Sequence, residues 1–361
     1  MRRRRLRDLR TRRLIVDAND IRSDSSRAAI ATSAEILQQG GTVAFPTETV
    51  YGLGANALDI EAVAKIFAAK QRPAWDPVIV HVSDQEMLGR VAASVPRNAV
   101  RLMDAFWPGP LTLLLPRHTD VPSAVTAGRP LVGVRMPLHP VAHALIQAAG
   151  LSIAAPSANT FGRISPTQAQ HVAEDLDGLI DAILDSGETT HGLESTVVDP
   201  NNDPCIVYRP GVITLEQIRA VCGGAVAYRE TDQAFAAKPK SLPSPGLGLR
   251  HYAPRAKLIL VDGEGEEQKR AFEDAALIAD KAEEGIGLML PDAFGSAAIG
   301  RQALVYRWGD WMNEEELAHR LFAGLRWLDS AGATTIICPL PPAKGIGIAI
   351  RDRLKKAART E

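Results

Sequence analysis

The sequence predicts an α/β fold in two domains, a larger one with a twisted mixed sheet and a smaller Rossmann-like α/β one. The chain has 361 residues, which is too long for one typical domain. Short β-branched runs alternate with helical segments along most of it. The alternation stops over residues 223–257, where four prolines and several glycines predict a linker or lid.

The first domain is predicted over residues 14–222. A helix over residues 25–39 is expected to end at Gly40-Gly41, and Asp59 is suited to cap the next helix. The β-branched run from Val78 to Val82 predicts a strand. Further helices are predicted at 101–107, 140–149 and 166–176, and further strands at 43–45, 111–115, 131–136, 153–155, 182–184, 196–198 and 206–208. Since the strands do not follow a strict βαβ repeat, a mixed sheet is expected.

The second domain is predicted over residues 258–361, with the order β-α-β-β-α-β-α. Strands are expected at 258–261, 286–290 and 334–338, and helices at 266–284 and 346–358. Asn313 and Glu316 are spaced as a capping box at the start of another helix. The order is typical of a small Rossmann-like domain. No G-x-G-x-x-G fingerprint accompanies it, so no dinucleotide is assigned.

The first 13 residues contain eight arginines and are predicted to form a disordered tail. Two alternatives stay open from the sequence. The segment is either an arm that contacts RNA phosphates, or a solvated tail or an extension that arises from an upstream start codon.

Composition excludes several classes of protein. The formal net charge is −1, so binding of a polyanion by bulk charge is not expected. The three cysteines are far apart and lack zinc-ligand or redox spacing, which favours a reducing, cytoplasmic setting. No apolar run reaches 18 residues and no signal-peptide pattern is present, so no membrane association is expected.

The segment from Pro46 to Gly54 is the first candidate for a site. It follows a predicted buried strand and carries hydroxyls, a carboxylate and glycines, which suits a ligand site at the end of a strand. A polar Pro/Gly turn would look the same. Lys70 and Arg72 form a second candidate, because two cations at a helix end can hold a polyphosphate. They can equally stabilise the helix C-terminus.

Three further groups of polar residues follow predicted strands or turns. They are Pro156 to Asn159 with Ser165, Glu194 to Thr196 with Arg209 to Gly211, and Arg135 at a strand end. Each group has an alternative role in capping or turn formation. Together they predict a cradle for a triphosphate and a carboxylate. The sequence contains no P-loop, no Ser/His/Asp triad spacing and no metal-ligand cluster, which indicates chemistry by positioning and charge stabilisation.

These motifs resemble those of the YrdC-like threonylcarbamoyl-AMP synthases, in the longer form with an extra C-terminal domain. The matching segments lie in order and span about 210 residues: FPTETVYGLGANA at 45–57, KQRP at 70–73, PVIVHV at 77–82, FWPGPLTLLLP at 106–116, VRMPLHP at 134–140, APSAN at 155–159, ESTVVD at 194–199, YRPG at 208–211 and HYAP at 251–254.

The resemblance implies an enzyme that joins L-threonine, bicarbonate or CO₂, and ATP into threonylcarbamoyl-AMP and pyrophosphate. It also implies Mg²⁺ bound with ATP. A downstream complex would then move the threonylcarbamoyl group to a tRNA adenosine beside the anticodon, with possible contact to tRNA. Because the product is prone to hydrolysis, a lid that excludes water is expected over the site.

The resemblance also assigns residues. The threonine group comprises Thr49, His81, Arg135, Ala155 and Ser195. The ATP group comprises Lys70, Arg72, Asp76, Leu131, Ser157, Asn159, Ser165, Arg209 and Tyr252. Leu131 and Ala155 would contribute through the main chain, and His251 would lie near the nucleotide.

The chain departs from the family pattern in two places. Asp76 replaces an asparagine, and a carboxylate there would repel phosphates unless a cation lies between. The segment Leu247-Gly248-Leu249 replaces a lysine- and tyrosine-containing part of the lid, where Arg250 would restore a charge. Two other functions stay open from the sequence: a non-catalytic RNA-binding module and a carbamoyltransferase. The second normally carries zinc-finger modules, for which three scattered cysteines do not suffice.

Overall fold

The computed structural model describes residues 10–227, 241–242, 244, 251–281, 285–294 and 303–359. The arginine-rich residues 1–9 and the lid residues 245–250 lie outside this part of the chain. Within it, the strands form an eleven-stranded sheet in the first domain and a four-stranded sheet in the second. The predicted α/β class is confirmed.

The first sheet is mixed, in the order β1-β8-β2-β3-β7-β4-β6-β5-β9-β10-β11. Its strands are β1 (Arg12–Ile15), β2 (Val43–Phe45), β3 (Gly52–Asn56), β4 (Ile79–His81), β5 (Leu111–Pro116), β6 (Leu131–Arg135), β7 (Ile153–Ala154), β8 (Ala182–Asp185), β9 (Thr196–Asp199), β10 (Cys205–Arg209) and β11 (Ala225–Ala227). Central strands such as β2 and β4 are buried along their whole length, as their apolar sequences require.

The helices of this domain cover the sheet. They are α1 (Asp24–Gln38), α2 (Ile60–Lys70), α3 (Gln85–Val91), α4 (Arg97–Phe106), α5 (Pro140–Ala149), α6 (Ala169–Leu176) and α7 (Leu215–Cys222). The Asp59 side chain caps α2 by accepting from the N–H groups of Glu61 and Ala62, as predicted. Gln71 follows α2 with φ 54°, and this left-handed turn directs the next residues toward β4.

The second sheet is parallel throughout, in the order β12-β15-β13-β14. Its elements follow the predicted sequence: β12 (Lys257–Val261), α8 (Gly265–Lys281), β13 (Ile286–Pro291), β14 (Leu304–Gly309), α9 (Glu314–Ser330), β15 (Thr335–Pro339) and α10 (Gly347–Ala357). Asn313 caps α9, but Glu316 accepts from the N–H of Asp310 and not from that of Asn313. The predicted reciprocal capping box is therefore wrong.

Three segments differ from the sequence prediction. Arg12 and Arg13 belong to β1 and pair with β8, so the prediction of a tail is wrong for these two residues. Ala225–Ala227 forms β11 beside β10, within the segment predicted to be a linker with little regular structure. Gly52–Asn56 is a strand, β3, although it was predicted to be part of a loop. In each segment, pairing with a neighbouring strand supplies the order that local composition does not indicate.

One apolar core joins the two domains. Val50 and Leu193 from the first domain belong to the same buried cluster as Leu317 and Phe322 of α9. The second domain is thus packed directly against the segment that follows β2. Among the described residues, no helix is long and apolar enough to cross a membrane.

Candidate active site

A buried cavity lies between the ends of the first-domain strands and the segment that precedes β12. It holds about 560 Å³ of space, including the part open to solvent. Its walls come from the segment after β2, from β4, from the ends of β6, β7 and β10, and from the start of β9. The lining residues are Thr47, Thr49, Val50, Gly52, Arg72, Val78, Ile79, His81, Arg135, Ala155, Pro156, Ser157, Glu194, Ser195, Arg209, His251 and Tyr252.

All five residues of the predicted threonine group line this cavity. β4 and β6 are parallel neighbours in which His81 lies opposite Arg135, so the sheet register itself brings these two side chains together. Ser195 completes the group from the position just before β9, with its Oγ 2.8 Å from Thr112 Oγ1. The roles assigned to these residues stay predictions.

Arg135 is held by groups on three sides. Its Nε donates to Gly109 O at 3.1 Å and its Nη1 donates to Thr49 Oγ1 at 2.8 Å. Its Nη2 lies 2.6 Å from Glu48 Oε1, and both side chains are only 4% exposed. Burial alone would raise the pKa of Glu48, but the Arg135 charge holds the pKa of that carboxyl below its usual value. The guanidinium is therefore fixed in position and paired with an ionised carboxylate.

His81 is a neutral imidazole in this environment. Burial, followed by the positive charge of Arg135, lowers the pKa of His81 to about 3. Its Nδ1 is buried without a hydrogen-bond partner among the described residues. A neutral ring with a free nitrogen can exchange a hydrogen bond with a ligand in the cavity.

The predicted ATP group divides into two parts. Arg72, Ser157, Arg209 and Tyr252 line the cavity, whereas Lys70, Asp76, Leu131, Asn159 and Ser165 do not. Arg209 donates from Nε and Nη2 to Ser195 O, at 3.1 and 2.9 Å. Among the described residues it makes no ion pair, so its charge remains available to an anionic ligand.

Lys70 points into protein rather than into the cavity. Its ammonium donates to the carbonyl oxygens of Ser157, at 2.5 Å, and Asn159. Burial and the nearby Arg72 charge lower the pKa of Lys70 well below its usual value. The residue thus joins the end of α2 to the 157–159 turn that forms one wall of the cavity.

Asp76 forms a buried ion pair with Arg72. The distance from Arg72 Nη2 to Asp76 Oδ2 is 2.9 Å, and Arg72 also donates to the carbonyls of Asp76 and Pro77. The Asp76 carboxylate, which stands where the family has an asparagine, is therefore separated from the cavity by the Arg72 cation. An intervening cation of this kind is what the sequence requires if the carboxylate is not to repel phosphates.

The remaining members of the ATP group lie behind the wall. Asn159 Nδ2 donates to the carbonyls of Thr160 and Arg163, and Ser165 Oγ donates to Glu194 Oε1 at 2.5 Å. Leu131 opens β6, where its main chain pairs with Pro116 of β5. These residues support the shape of the cavity in the structure.

Three lining residues show features that the sequence does not predict, although all three lie in segments named above. Thr47 orders the segment after β2, because its Oγ1 donates to Val50 O at 2.7 Å. Glu194 is the one acidic side chain among the described lining residues. Tyr252 has φ 64°, an unusual value for a residue with a side chain, and such strain is concentrated at functional sites. None of these features has a local sequence signal beyond the motif that contains it.

No metal site is formed by protein ligands alone in the part of the chain that the structure describes. No group of three His, Cys, Asp or Glu side chains there could hold a metal ion. Glu194, which lines the cavity, is already bonded through both carboxylate oxygens. This donor set suits Mg²⁺ only if substrate phosphates and water supply most of its ligands.

An α/β sheet with three arginines around one cavity is an arrangement suited to the binding of small anionic molecules. Residues 35–211 match a family model, Sua5_yciO_yrdC, described as "Telomere recombination". Residues 213–359 match a model described as "Threonylcarbamoyl-AMP synthase, C-terminal domain". The chain belongs to the Sua5/YrdC family in its two-domain form.

Similar proteins cover nearly the whole chain. It is 44% identical over 331 residues to a threonylcarbamoyl-AMP synthase of Pyrococcus abyssi, covering 91% of this chain and 94% of the relative. It is 41% identical over 351 residues to one of Bacillus subtilis, covering 97% and 98%. A crystal structure of P. abyssi Sua5 complexed with L-threonine matches with a TM-score of 0.88 and 40% identity, covering 96% of this chain and 98% of that one.

Proposed function

We propose that this chain is an L-threonylcarbamoyladenylate synthase. The threonine amine takes up CO₂ or bicarbonate as a carbamate, the carbamate oxygen attacks the α-phosphorus of ATP, and pyrophosphate leaves. The observation that carries the proposal is the identity of 41–44%, over more than nine-tenths of each chain, to relatives that are named as this synthase. The similar structure that holds L-threonine supports the substrate.

The threonine group supplies the contacts that an amino acid needs. Arg135 offers its charge to the carboxylate, and it is already oriented by Gly109 O and Thr49 Oγ1. Thr49, Ser195 and neutral His81 offer hydrogen bonds to the remaining polar atoms, and Ala155 offers its main chain. Because these groups are fixed before binding, little ordering is required when the substrate arrives.

The phosphates of ATP are assigned to the other side of the cavity. Arg209 and Arg72 face the cavity as cations, with Ser157 and Tyr252 beside them. Cations near the β- and γ-phosphates stabilise the pyrophosphate as it departs. We propose that Lys70, Asp76, Leu131, Asn159 and Ser165 act mainly by holding this wall, since each contacts protein groups in the structure.

Mg²⁺ is proposed to enter with ATP. The ion supplies charge neutralisation on the phosphates, and the protein contributes the arginines around them. We further propose that the product passes to a complex that modifies tRNA, and that the protein works in the cytoplasm. The free state of all three cysteines is in keeping with that location.

The proposal is tested by measuring pyrophosphate release from ATP and bicarbonate, with and without L-threonine. Release is expected only when threonine is present, and L-serine and L-valine serve as matched controls that each lack one feature of threonine. Equal release without any amino acid would contradict the proposal. Tight, salt-sensitive tRNA binding without nucleotide turnover would favour the RNA-binding alternative.

A further inference from the structure

Arg353 is a buried, charged residue of the second domain that pairs with a carboxylate of the first domain. It lies on α10 in the second domain, and its side chain is 0% exposed. Burying a cation without partners is strongly unfavourable, so its contacts must compensate. Its Nε donates to Glu194 Oε2 at 2.9 Å, although 159 residues separate the two in the sequence. Its guanidinium also lies 5.3 Å from the centre of the Tyr252 ring.

Glu194 is the residue that this contact affects most directly. It lines the cavity beside Ser195, and Arg209 reaches the carbonyl of that serine. Its other oxygen accepts from Ser165 Oγ at 2.5 Å. A buried carboxylate at this wall faces the region that we assign to the phosphates of ATP. Without a cation behind it, its charge would repel them.

A second arginine of the same domain supports this arrangement. Arg326 on α9 donates to the carbonyls of Ile164 and Ser165, and its Nη2 lies 2.8 Å from Asp175 Oδ2. It thereby holds the segment that presents Ser165 to Glu194. Arg353 therefore contacts Glu194 directly, whereas Arg326 acts on it only through the segment that carries Ser165.

We propose that Arg353 is a positioning residue of the active site, which neutralises and orients Glu194 so that this wall of the cavity accepts the phosphates of ATP. The second domain thus completes the nucleotide side of a site whose lining strands all belong to the first domain. This inference rests on the proposed function, because ATP is the substrate through which it is measured.

The test compares Arg353→Gln with Glu194→Gln in the full chain. Arg353→Gln leaves an unneutralised carboxylate at the wall, and the KM for ATP is expected to rise by about tenfold or more while the KM for threonine changes by less than about threefold. Glu194→Gln removes the negative charge, so the KM for ATP is expected to rise clearly less than in Arg353→Gln. The double variant is expected to return within about threefold of the original value. A merely structural contact would raise the KM for ATP to the same extent in both single variants.

Two further variants keep the test decisive. Arg351→Gln is the matched control, because Arg351 lies on the same helix and pairs with Asp262 at 2.7 Å, within the second domain. It is expected to leave both KM values unchanged. Arg353→Lys retains the charge and is expected to keep the KM for ATP near its original value. This variant tests the inference even if Arg353→Gln does not fold.

An equal rise in the KM for ATP in Arg353→Gln and Glu194→Gln would overturn the inference. So would an Arg353→Lys enzyme that is as impaired as Arg353→Gln, or a folded Arg353→Gln enzyme with an unchanged KM for ATP. Absence of threonine-dependent pyrophosphate release in the unaltered protein would instead refute the proposed function, so the two failures are distinguishable.

Discussion

At the scale of single residues, Arg135 shows how a binding group can be fixed before its ligand arrives. Three protein groups hold its guanidinium, and one of them, Glu48, is a buried carboxylate at 2.6 Å. Glu48 does not line the cavity, so its effect on a ligand passes through Arg135. The sequence indicated a role for the segment that contains Glu48 but none for Glu48 itself, because its partner is 87 positions away along the chain.

Replacing Arg135 is expected to affect binding and stability separately. In Arg135→Ala the KM for threonine should rise by about 30- to 150-fold, corresponding to about 2–3 kcal/mol for a charged hydrogen-bonded pair. The same change leaves Glu48 buried and unpaired, which costs about 3–5 kcal/mol of folding stability. Steady-state kinetics and urea unfolding measure the two effects.

The double variant Arg135→Ala/Glu48→Gln separates the effect on threonine binding from the effect on folding stability. Because it no longer buries an unpaired charge, it should recover most of the lost stability and retain the raised KM for threonine. A KM for threonine that stays unchanged in Arg135→Ala would remove Arg135 from the binding site. A double variant as unstable as Arg135→Ala would show that the stranded carboxylate is not the cause.

Lys70 illustrates what residue type alone does not determine. A lysine and an arginine at the end of a helix predicted a grip on phosphates, and Arg72 does line the cavity. Lys70 instead donates to two carbonyls of the 157–159 turn. The direction of a side chain at a helix end depends on what packs against it, and the sequence contains no local signal for a turn that lies 87 residues away.

At the scale of elements, β3 is a strand that the sequence pattern does not predict. Its residues Gly52 to Asn56 lack β-branched side chains and include two glycines, a composition typical of a turn. They form a strand because β2 and β7 pair with it on either side. A Cβ at Gly54 would lie 2.7 Å from Phe45 Cε1, so the glycine permits close packing. Phe45 in turn packs edge-on against His81 in the site.

Helix α2 gives a prediction of stability at this scale. Its N-cap, Asp59, accepts from two otherwise unpaired N–H groups at the start of the helix. Asp59→Ala should lower the free energy of unfolding by about 1 kcal/mol, whereas Asp59→Ser should retain most of it. Because the cap lies at the end of α2 away from Arg72, the KM for ATP should not change in either variant.

Urea unfolding of the two variants, with parallel kinetics, measures these effects. If Asp59→Ala and Asp59→Ser were equally stable, the cap would not be the source of the effect. A changed KM for ATP would show that the start of α2 is coupled to the position of Arg72.

At the scale of the whole molecule, the site depends on contacts that no local pattern encodes. The alternating elements predicted both sheets, and the ordered motifs predicted part of the residues that line the cavity. The pairing of Glu194 with Arg353 requires both domains to be folded and docked. Sequence reasoning assigned the second domain no part in the site because α10 carries no motif, only an arginine among several basic residues.

Buried histidines make the stability of the folded protein depend on pH. Burial lowers the pKa of five histidines, to about 3 for His81 and about 4 for His171; the others are His139, His191 and His251. In the unfolded chain each would titrate near pH 6.5. The unfolded state therefore binds more protons below that pH, and the stability present above it is lost progressively as the pH falls toward 3–4.

Stability should consequently fall between pH 7 and pH 5, by on the order of 1–2 kcal/mol for each histidine whose folded pKa lies well below 5. Urea unfolding at the two pH values measures the change. His171→Asn is the matched variant, because His171 lies outside the cavity and an asparagine oxygen can still accept from the N–H of Thr167, now at 3.2 Å from His171 Nδ1. The free energy of unfolding of this variant should fall less between pH 7 and pH 5, by about 1–2 kcal/mol, which is what one histidine contributes. Equal stability of the unaltered protein at pH 7 and pH 5 would show that these rings remain open to protonation in the folded state.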